Sequence, residues 1–145
     1  MFPLEVGNIE SQEATDRVEA IIERVGITEH QDKFPIQLSG GELQRAAIAR
    51  ALAFSPEILL ADEPTGNLDN ATSWEIVKLL QDINAAGTTV IMATHNADIV
   101  NSLRKRTLIL EKGKLTKDQG GKPSHTSHSS HAHKETEKTE EPKGE

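Results

Sequence analysis

The 145-residue sequence has no cysteine and no tyrosine, and it holds only one tryptophan and three phenylalanines. Without thiols, disulfide staples, thiolate metal sites and cysteine nucleophiles are excluded. No run approaches the roughly 20 consecutive apolar residues that a membrane-crossing helix needs. The N-terminus carries no signal-peptide pattern. Positive charge is scarce as well: 16 Lys and Arg against 23 Asp and Glu leave a net charge of -7, which argues against nucleic acid as a main partner. There is no heptad arm and no internal repeat. What remains, 35% apolar and 27% charged residues, is an ordinary soluble composition for one domain.

What the chain does have is concentrated between Leu38 and Asp69, reading LSGGELQRAAIARALAFSPEILLADEPTGNLD. Ser39, Gly40, Gly41 and Glu42 form an S-x-x-E capping box, so a helix should start there with Ser39 as its cap. Glycines in a first turn cost roughly 1 kcal/mol each relative to alanine, and propensity does not account for two of them. They leave bare backbone N–H groups at the positive end of a helix, a seat suited to a phosphate. Standing alone, the same residues would equally describe a capped helix with a flexible start.

Ser55-Pro56 ends that helix, and Ile58 to Ala61 is a short apolar run of the kind that forms a buried parallel strand. Asp62 and Glu63 fall at its carboxyl end, where ligands bind in open α/β sheets. Adjacent carboxylates there suit a division of labour. One, Asp62, would hold Mg²⁺ through its water shell, and the other, Glu63, would orient or deprotonate an attacking water. Two solvated acids at a strand end are the plain alternative.

Along the rest of the chain, Met1 to Val6 reads as extended and Gly7-Asn8 as a turn. A helix follows from Ser11, with Ala14, Val18, Ile21, Ile22 and Val25 inward, Glu13, Asp16, Glu19 and Glu23 on a solvated face, and Gly26 at the C-terminal cap. His30, in the next loop, reads as a surface residue without a role. Ala71 to Ile83 is a second amphipathic helix with Ile76, Leu79, Leu80 and Ile83 inward, and Trp74 reads as packing. Thr88 to Ala93 is a β-branched, buried strand, followed by His95 and a short helix from Asn96 to Leu103. Arg104-Lys105-Arg106 reads as a solvated run before a hairpin around Lys112-Gly113. Strand and helix alternate, which argues for an α/β parallel sheet.

Beyond Gly120 the composition turns to Lys, Ser, Thr, His, Glu and Pro, too polar to offset its ordering entropy by burial. His125, His128, His131 and His133 could hold a transition metal weakly, with no fixed geometry evident.

Taken together, LSGGE, ILLADEP, Gly66-Asn67-Leu68-Asp69 and Ala93-Thr94-His95 resemble, in order and spacing, the signature motif, Walker B strand, D-loop and switch histidine of the ATP-binding cassette (ABC) family. The fold implied is α/β, the C-terminal part of a P-loop NTPase nucleotide-binding domain: a parallel sheet flanked by helices, with a helical signature subdomain. That domain would occupy residues 1–118, divided into a helical signature segment 8–55 and a core 56–118 running from Walker B to the switch histidine. Residues 119–145 would form a disordered His-rich tail. The phosphate-loop pattern G-x-x-x-x-G-K-[ST] does not occur in the 145 residues. The expectation is therefore the back half of such a domain: an ATPase when complete, inactive as this chain alone, with one side of the Ile58–Ala61 strand lacking partners.

The resemblance also assigns roles. Two nucleotide-binding domains would close head to tail as a homodimer, with Ser39, Gly40, Gly41 and Glu42 of one meeting ATP held by the other. Asp62 would serve Mg²⁺ through water, Glu63 would act as general base, and His95 would contact the γ-phosphate and the catalytic carboxylate. Gly66, Asn67, Leu68 and Asp69 would couple the two sites. Within the family, the stretches Met92–Val100, Leu103–Arg106, Leu110–Lys114 and Asp118-Gln119, with Pro3–Val6, resemble the cell-division branch. That branch implies an integral membrane permease-like subunit as partner and a cytoplasmic place on the inner face of the cell membrane. A lipoprotein-release or macrolide-export cassette is the alternative enzyme. A non-catalytic half-domain that lends its signature motif to a partner is the alternative outside catalysis.

Overall fold

The structure, a computed structural model, describes residues 11–120. The extended start at Met1–Val6, the Gly7-Asn8 turn and the tail from residue 121 onward lie outside the described residues. The chain divides into two compact units, the first running to Leu103 and the second starting at Arg104.

In the first unit, helix α1 (Ser11–Val25) ends where Gly26 adopts a left-handed φ of +73°. The Gly26 N–H donates to Glu23 O at 3.0 Å and the Ile27 N–H to Ile22 O at 3.1 Å. That pair of bonds is a Schellman termination, and it satisfies carbonyls the helix would otherwise leave open. Ala14 and Val25 are buried, Val18, Ile21 and Ile22 line the same side, and the four acids face outward, as the helical spacing predicts. Two short 3₁₀ turns, Thr28–His30 and Pro35–Gln37, then carry the chain to α2 (Gly40–Leu52).

Next come β1 (Ile58–Asp62), α3 (Asn70–Ala85), β2 (Thr89–Ala93) and α4 (Ala97–Leu103). Strands β1 and β2 pair in parallel, Leu59 beside Val90 and Asp62 beside Ala93, with α3 as the crossover between them. The core gathers Val25, Ile48, Leu52, Leu59, Ile76, Leu79, Leu80 and Ile83 from α1, α2, β1 and α3, with Ile27 from the turn after α1. All four inward residues expected of α3 are in it. Helix α4 is capped by Asn96, whose Oδ1 accepts from the N–H groups of Asp98 at 3.0 Å and Ile99 at 3.3 Å.

Both strands read as buried, with one side of Ile58–Ala61 lacking partners, and the structure shows one covered and one open side for the pair. Leu59 is buried, but Leu60 is 72% exposed, and Ile58 and Ile91 are each more than half exposed. Within the described residues only one face of the two-stranded sheet meets helices. The residues were apolar on both faces, so periodicity could not separate a strand covered once from one covered twice.

The second unit, among its described residues, is a hairpin of β3 (Thr107–Glu111) and β4 (Lys114–Gln119), antiparallel, with a register shift at Ile109/Leu110. Lys112 and Gly113 both have positive φ, +49° and +75°, the conformation a tight two-residue connection demands. The preceding basic run is not simply solvated. Arg106 clasps Asp118 with Nε to Oδ1 at 3.0 Å and Nη2 to Oδ2 at 2.7 Å, a fork that pulls the Asp118 carboxyl below its usual range.

Candidate functional site

Two clusters carry the polar chemistry of the first unit. The first is the start of α2. Ser39 sits in extended backbone and its Oγ accepts from the Glu42 N–H at 3.3 Å, while Glu42 Oε2 accepts from the Ser39 N–H at 2.7 Å. The capping box stands as the sequence reads. Those bonds from Ser39, backbone first, lower the Glu42 carboxyl below its ordinary range, and the charge of nearby Lys33 acts the same way. His30 is not a bystander at the surface. Its Nε2 lies 2.6 Å from Glu42 Oε1, and only 24% of its side chain is exposed.

Gly40 and Gly41 supply the first two amides of the helix, which have no carbonyl behind them to bond. Their lack of side chains has a second cause that sequence did not show. A Cβ on Gly40 would stand 3.1 Å from Leu68 Cδ2, and one on Gly41 would stand 2.6 Å from Thr72 Cγ2. The helix start therefore lies directly on the loop after β1 and on the first turn of α3. Asp69 closes that loop by capping α3, its carboxylate accepting from the Thr72 N–H at 3.0 Å and from the Thr72 hydroxyl. The hydrogen bonds from Thr72, side chain first, lower its pKa.

The second cluster lies at the carboxyl ends of β1 and β2. Glu63 follows Asp62 with a left-handed φ of +44°, a conformation of the kind that costs a non-glycine residue about 1–3 kcal/mol and recurs at functional positions. Its N–H donates to Ala93 O at 2.9 Å, tying it to the end of β2, and its own carbonyl accepts from the Gly66 N–H at 3.1 Å. Glu63 Oε1 then meets His95 twice, accepting from the backbone N–H at 3.1 Å and facing ring Nδ1 at 2.7 Å. The side-chain bond from His95 is the main cause that lowers the Glu63 pKa, so the carboxylate is held ionised. With Nδ1–H donating to that carboxylate, Nε2 must gain a proton of its own before it can donate to an anion. The His95 side chain is 83% exposed, open to such a ligand.

Asp62 sits at the exposed end of β1. No group of three or more His, Cys, Asp or Glu among the described residues could cage a metal. A single exposed carboxylate fits Mg²⁺ of the kind that keeps most of its waters and takes the rest of its ligands from phosphates. ATP fits the open amides of the Ser39–Gly41 turn on the same chemical grounds.

The structure thus brings Ser39, Gly40, Gly41 and Glu42 against Leu68 and the Asp69-capped helix, and Glu63 against His95. The loop from Glu63 to Asp69, with Gly66 and Asn67, joins the two groups. One organising residue was missed altogether. Arg45 of α2 donates through Nη1 to Val25 O and through Nη2 to Glu75 Oε2, each at 2.9 Å, so it ties α1, α2 and α3. Its only signal in the sequence was a cation one helical turn beyond Glu42, close to a glycine-terminated helix whose carbonyls need donors.

An α/β unit with parallel strands followed at their carboxyl ends by an acid and a histidine, and with a helix opening on a Ser-Gly-Gly cap, has the architecture of part of an ATP-binding cassette. The chain belongs to the ATP-binding proteins of the ABC transporter family. The family's sequence pattern, described as ABC transporter, matches residues 3–66. The cell division ATP-binding protein FtsE of Streptococcus pneumoniae (serotype 2, strain D39) is 52% identical over 103 residues, covering 71% of this chain and 45% of that protein. FtsE of Bacillus subtilis (strain 168) is 47% identical over 118 residues, covering 81% of this chain and 52% of that protein. Among solved structures, cbiO1 from Clostridium perfringens, part of the ABC transporter complex cbiONQ, superposes with a TM-score of 0.74 at 34% identity, covering 81% of this chain and 47% of that one. The chain spans about half the length of the curated relatives it matches.

Proposed function

We propose that this chain works as part of an ATP-hydrolysing ABC subunit of the cell-division type. The observation that carries the reading is the Glu63–His95 contact at 2.7 Å, at the carboxyl ends of two paired parallel strands. A general base must be deprotonated, and the hydrogen bonds from His95 favour the ionised carboxylate. Glu63 takes the proton of the attacking water as its oxygen adds to the γ-phosphorus and the bond from that phosphorus to the β–γ bridging oxygen breaks, releasing ADP. Asp62 would hold Mg²⁺ through water, and the ion would supply charge neutralisation at the phosphates. His95, held by Glu63 at Nδ1, stabilises the reacting phosphate through its exposed face.

Two nucleotide-binding domains close head to tail in this reading. The open amides of Gly40 and Gly41, with the Ser39 cap, meet the γ-phosphate of ATP held by the partner domain, and the Gly66–Asp69 loop couples one site to the other. Similarity to FtsE supports a cell-division role at the inner face of the cell membrane, with an FtsX-like integral membrane subunit as the recipient of the closure signal. No helix of the described residues is long and apolar enough to cross a membrane. A lipoprotein-release or macrolide-export cassette would pair with a different permease, and the membrane protein that copurifies separates these readings.

In the assembled complex, Glu63→Gln is expected to leave Mg·ATP binding intact and to lower turnover by about 10²- to 10⁴-fold, the usual worth of a general base. Equilibrium nucleotide binding and single-turnover hydrolysis measure the two. Unchanged turnover removes Glu63 from the role of base.

A further inference from the structure

We propose that His30 is a positioning residue for the signature turn: through Nε2 it holds Glu42 Oε1, and so fixes the carboxylate whose other oxygen anchors the Ser39 backbone. The chain of contacts is continuous. His30 Nε2 stands 2.6 Å from Glu42 Oε1, Glu42 Oε2 accepts from the Ser39 N–H at 2.7 Å, and the Glu42 N–H returns to Ser39 Oγ at 3.3 Å. A capping glutamate bound only at one oxygen can swing about its side-chain torsions. Bound at both, it cannot leave the cap without breaking a charge-supported contact.

Other features of the ring favour this role. His30 Nδ1 is buried and has no hydrogen-bond partner. The ring proton therefore belongs on Nε2, facing Glu42, because placing it on Nδ1 would bury a donor without an acceptor. The ring is itself held. His30 closes the 3₁₀ turn Thr28–His30, its backbone N–H donates to Ile27 O at 2.9 Å, and the residue lines a largely apolar cleft of about 280 Å³ together with Ile27, Ala46 and Ala49, Lys33 and Arg50 being the charged groups at the same cleft. Ile27 is in the core. His30 thus connects a rigid part of the molecule to a turn whose work, in the reading above, is to present two open amides in a fixed direction. That last step rests on the proposed function, whereas the positioning itself does not.

The test uses the whole 145-residue chain and needs no nucleotide, so it can fail independently of the ATPase reading. Amide hydrogen exchange and ¹⁵N–¹H shifts are compared for the parent, His30→Leu and His30→Gln. Leucine fills the cleft but donates nothing, and the glutamine amide can take the place of Nε2. In His30→Leu the Ser39 amide should shift and exchange about tenfold faster, the worth of roughly one hydrogen bond, while amides in the middle of α2 keep their rates. His30→Gln should restore the parent shift and rate. A Ser39 amide unchanged in His30→Leu overturns the proposal. So does acceleration spread evenly along α2, which marks general destabilisation, or acceleration that His30→Gln fails to reverse, which assigns the effect to the packing of the ring.

Discussion

At the scale of single residues, Gly41 shows how one position answers two demands. Its bare backbone was legible in the sequence as a candidate phosphate seat, but the neighbour that forbids a side chain, Thr72, lies 31 positions further on and meets it only through the fold. A Cβ there would stand 2.6 Å from Thr72 Cγ2. Gly41→Ala should therefore cost about 1–3 kcal/mol by overpacking, read from urea midpoints. Thr72→Ser removes the offending methyl and should return most of that loss in the double variant, an interaction energy that two independent sites would not show. The same logic explains which site residues could be read in advance. Ser39, Glu42, Asp62, Glu63 and His95 sit in short motifs whose spacing is local, whereas His30 and Arg45 act across the chain on groups that no window of sequence holds together. Titration also belongs to this scale. The carboxyls of Glu42, Glu63 and Asp69 all have lowered pKa values, each through hydrogen bonds to its ionised form. A depressed acid contributes stability in full above its unfolded pKa and loses it as pH falls through the folded value. Stability should hold from neutrality to roughly pH 5 and fall below that, in the range where unperturbed carboxylates titrate. Thermal melts across pH 7 to 3 check the slope, and Glu63→Gln should flatten it. A slope unaltered by Glu63→Gln would remove the His95 contact from the balance.

At the scale of elements, helices were more legible than strands. Helices α1 and α3 declare one apolar stripe and one polar face, so their inward residues followed from spacing, and capping residues marked the start of α2 and the end of α1. Asp69 was assigned to the D-loop by resemblance, yet its immediate work is to cap α3, which the D-x-x-T spacing to Thr72 could have shown. For β1 the run Ile-Leu-Leu-Ala is apolar at every position, and composition cannot tell which side meets the core. The structure makes an asymmetric prediction. Leu59 is 6% exposed inside the main cluster and Leu60 is 72% exposed beside it. Leu59→Ala should cost about 2–5 kcal/mol in this 145-residue chain, and Leu60→Ala should change stability by no more than about 0.5 kcal/mol. Equal losses from both, measured by urea denaturation, would show that the outer face of the strand is covered in solution.

At the scale of the whole molecule, the two compact units differ in what can hold them together. The first has a continuous apolar cluster in which Val25, Ile76 and Ile83 are fully buried, fed by three helices and a strand and braced by Arg45 at its polar edge. Among the described residues the hairpin has no such reserve. Every residue of β4 is exposed, Leu108, Leu110 and Leu115 are each more than half exposed, and its most specific contact, Arg106 with Asp118, is solvent-screened. A two-stranded ribbon without a covered apolar face is marginal on its own. Opening should then be graded along the chain, not all-or-none, with the local cost of exposure rising from near zero at frayed segments to the global value in the core. Native-state amide exchange tests this on one sample. Amides of Ile76, Leu80 and Ile83 should exchange only through global unfolding and share one denaturant dependence. Those of Leu110 and Leu115 should exchange at least about 100-fold faster, with little denaturant dependence, as expected for local opening. If the hairpin amides instead tracked the core, protection equal in size and slope would mean that β3 and β4 are held by burial beyond their own pairing, and the hairpin would have to be counted with the cooperative core.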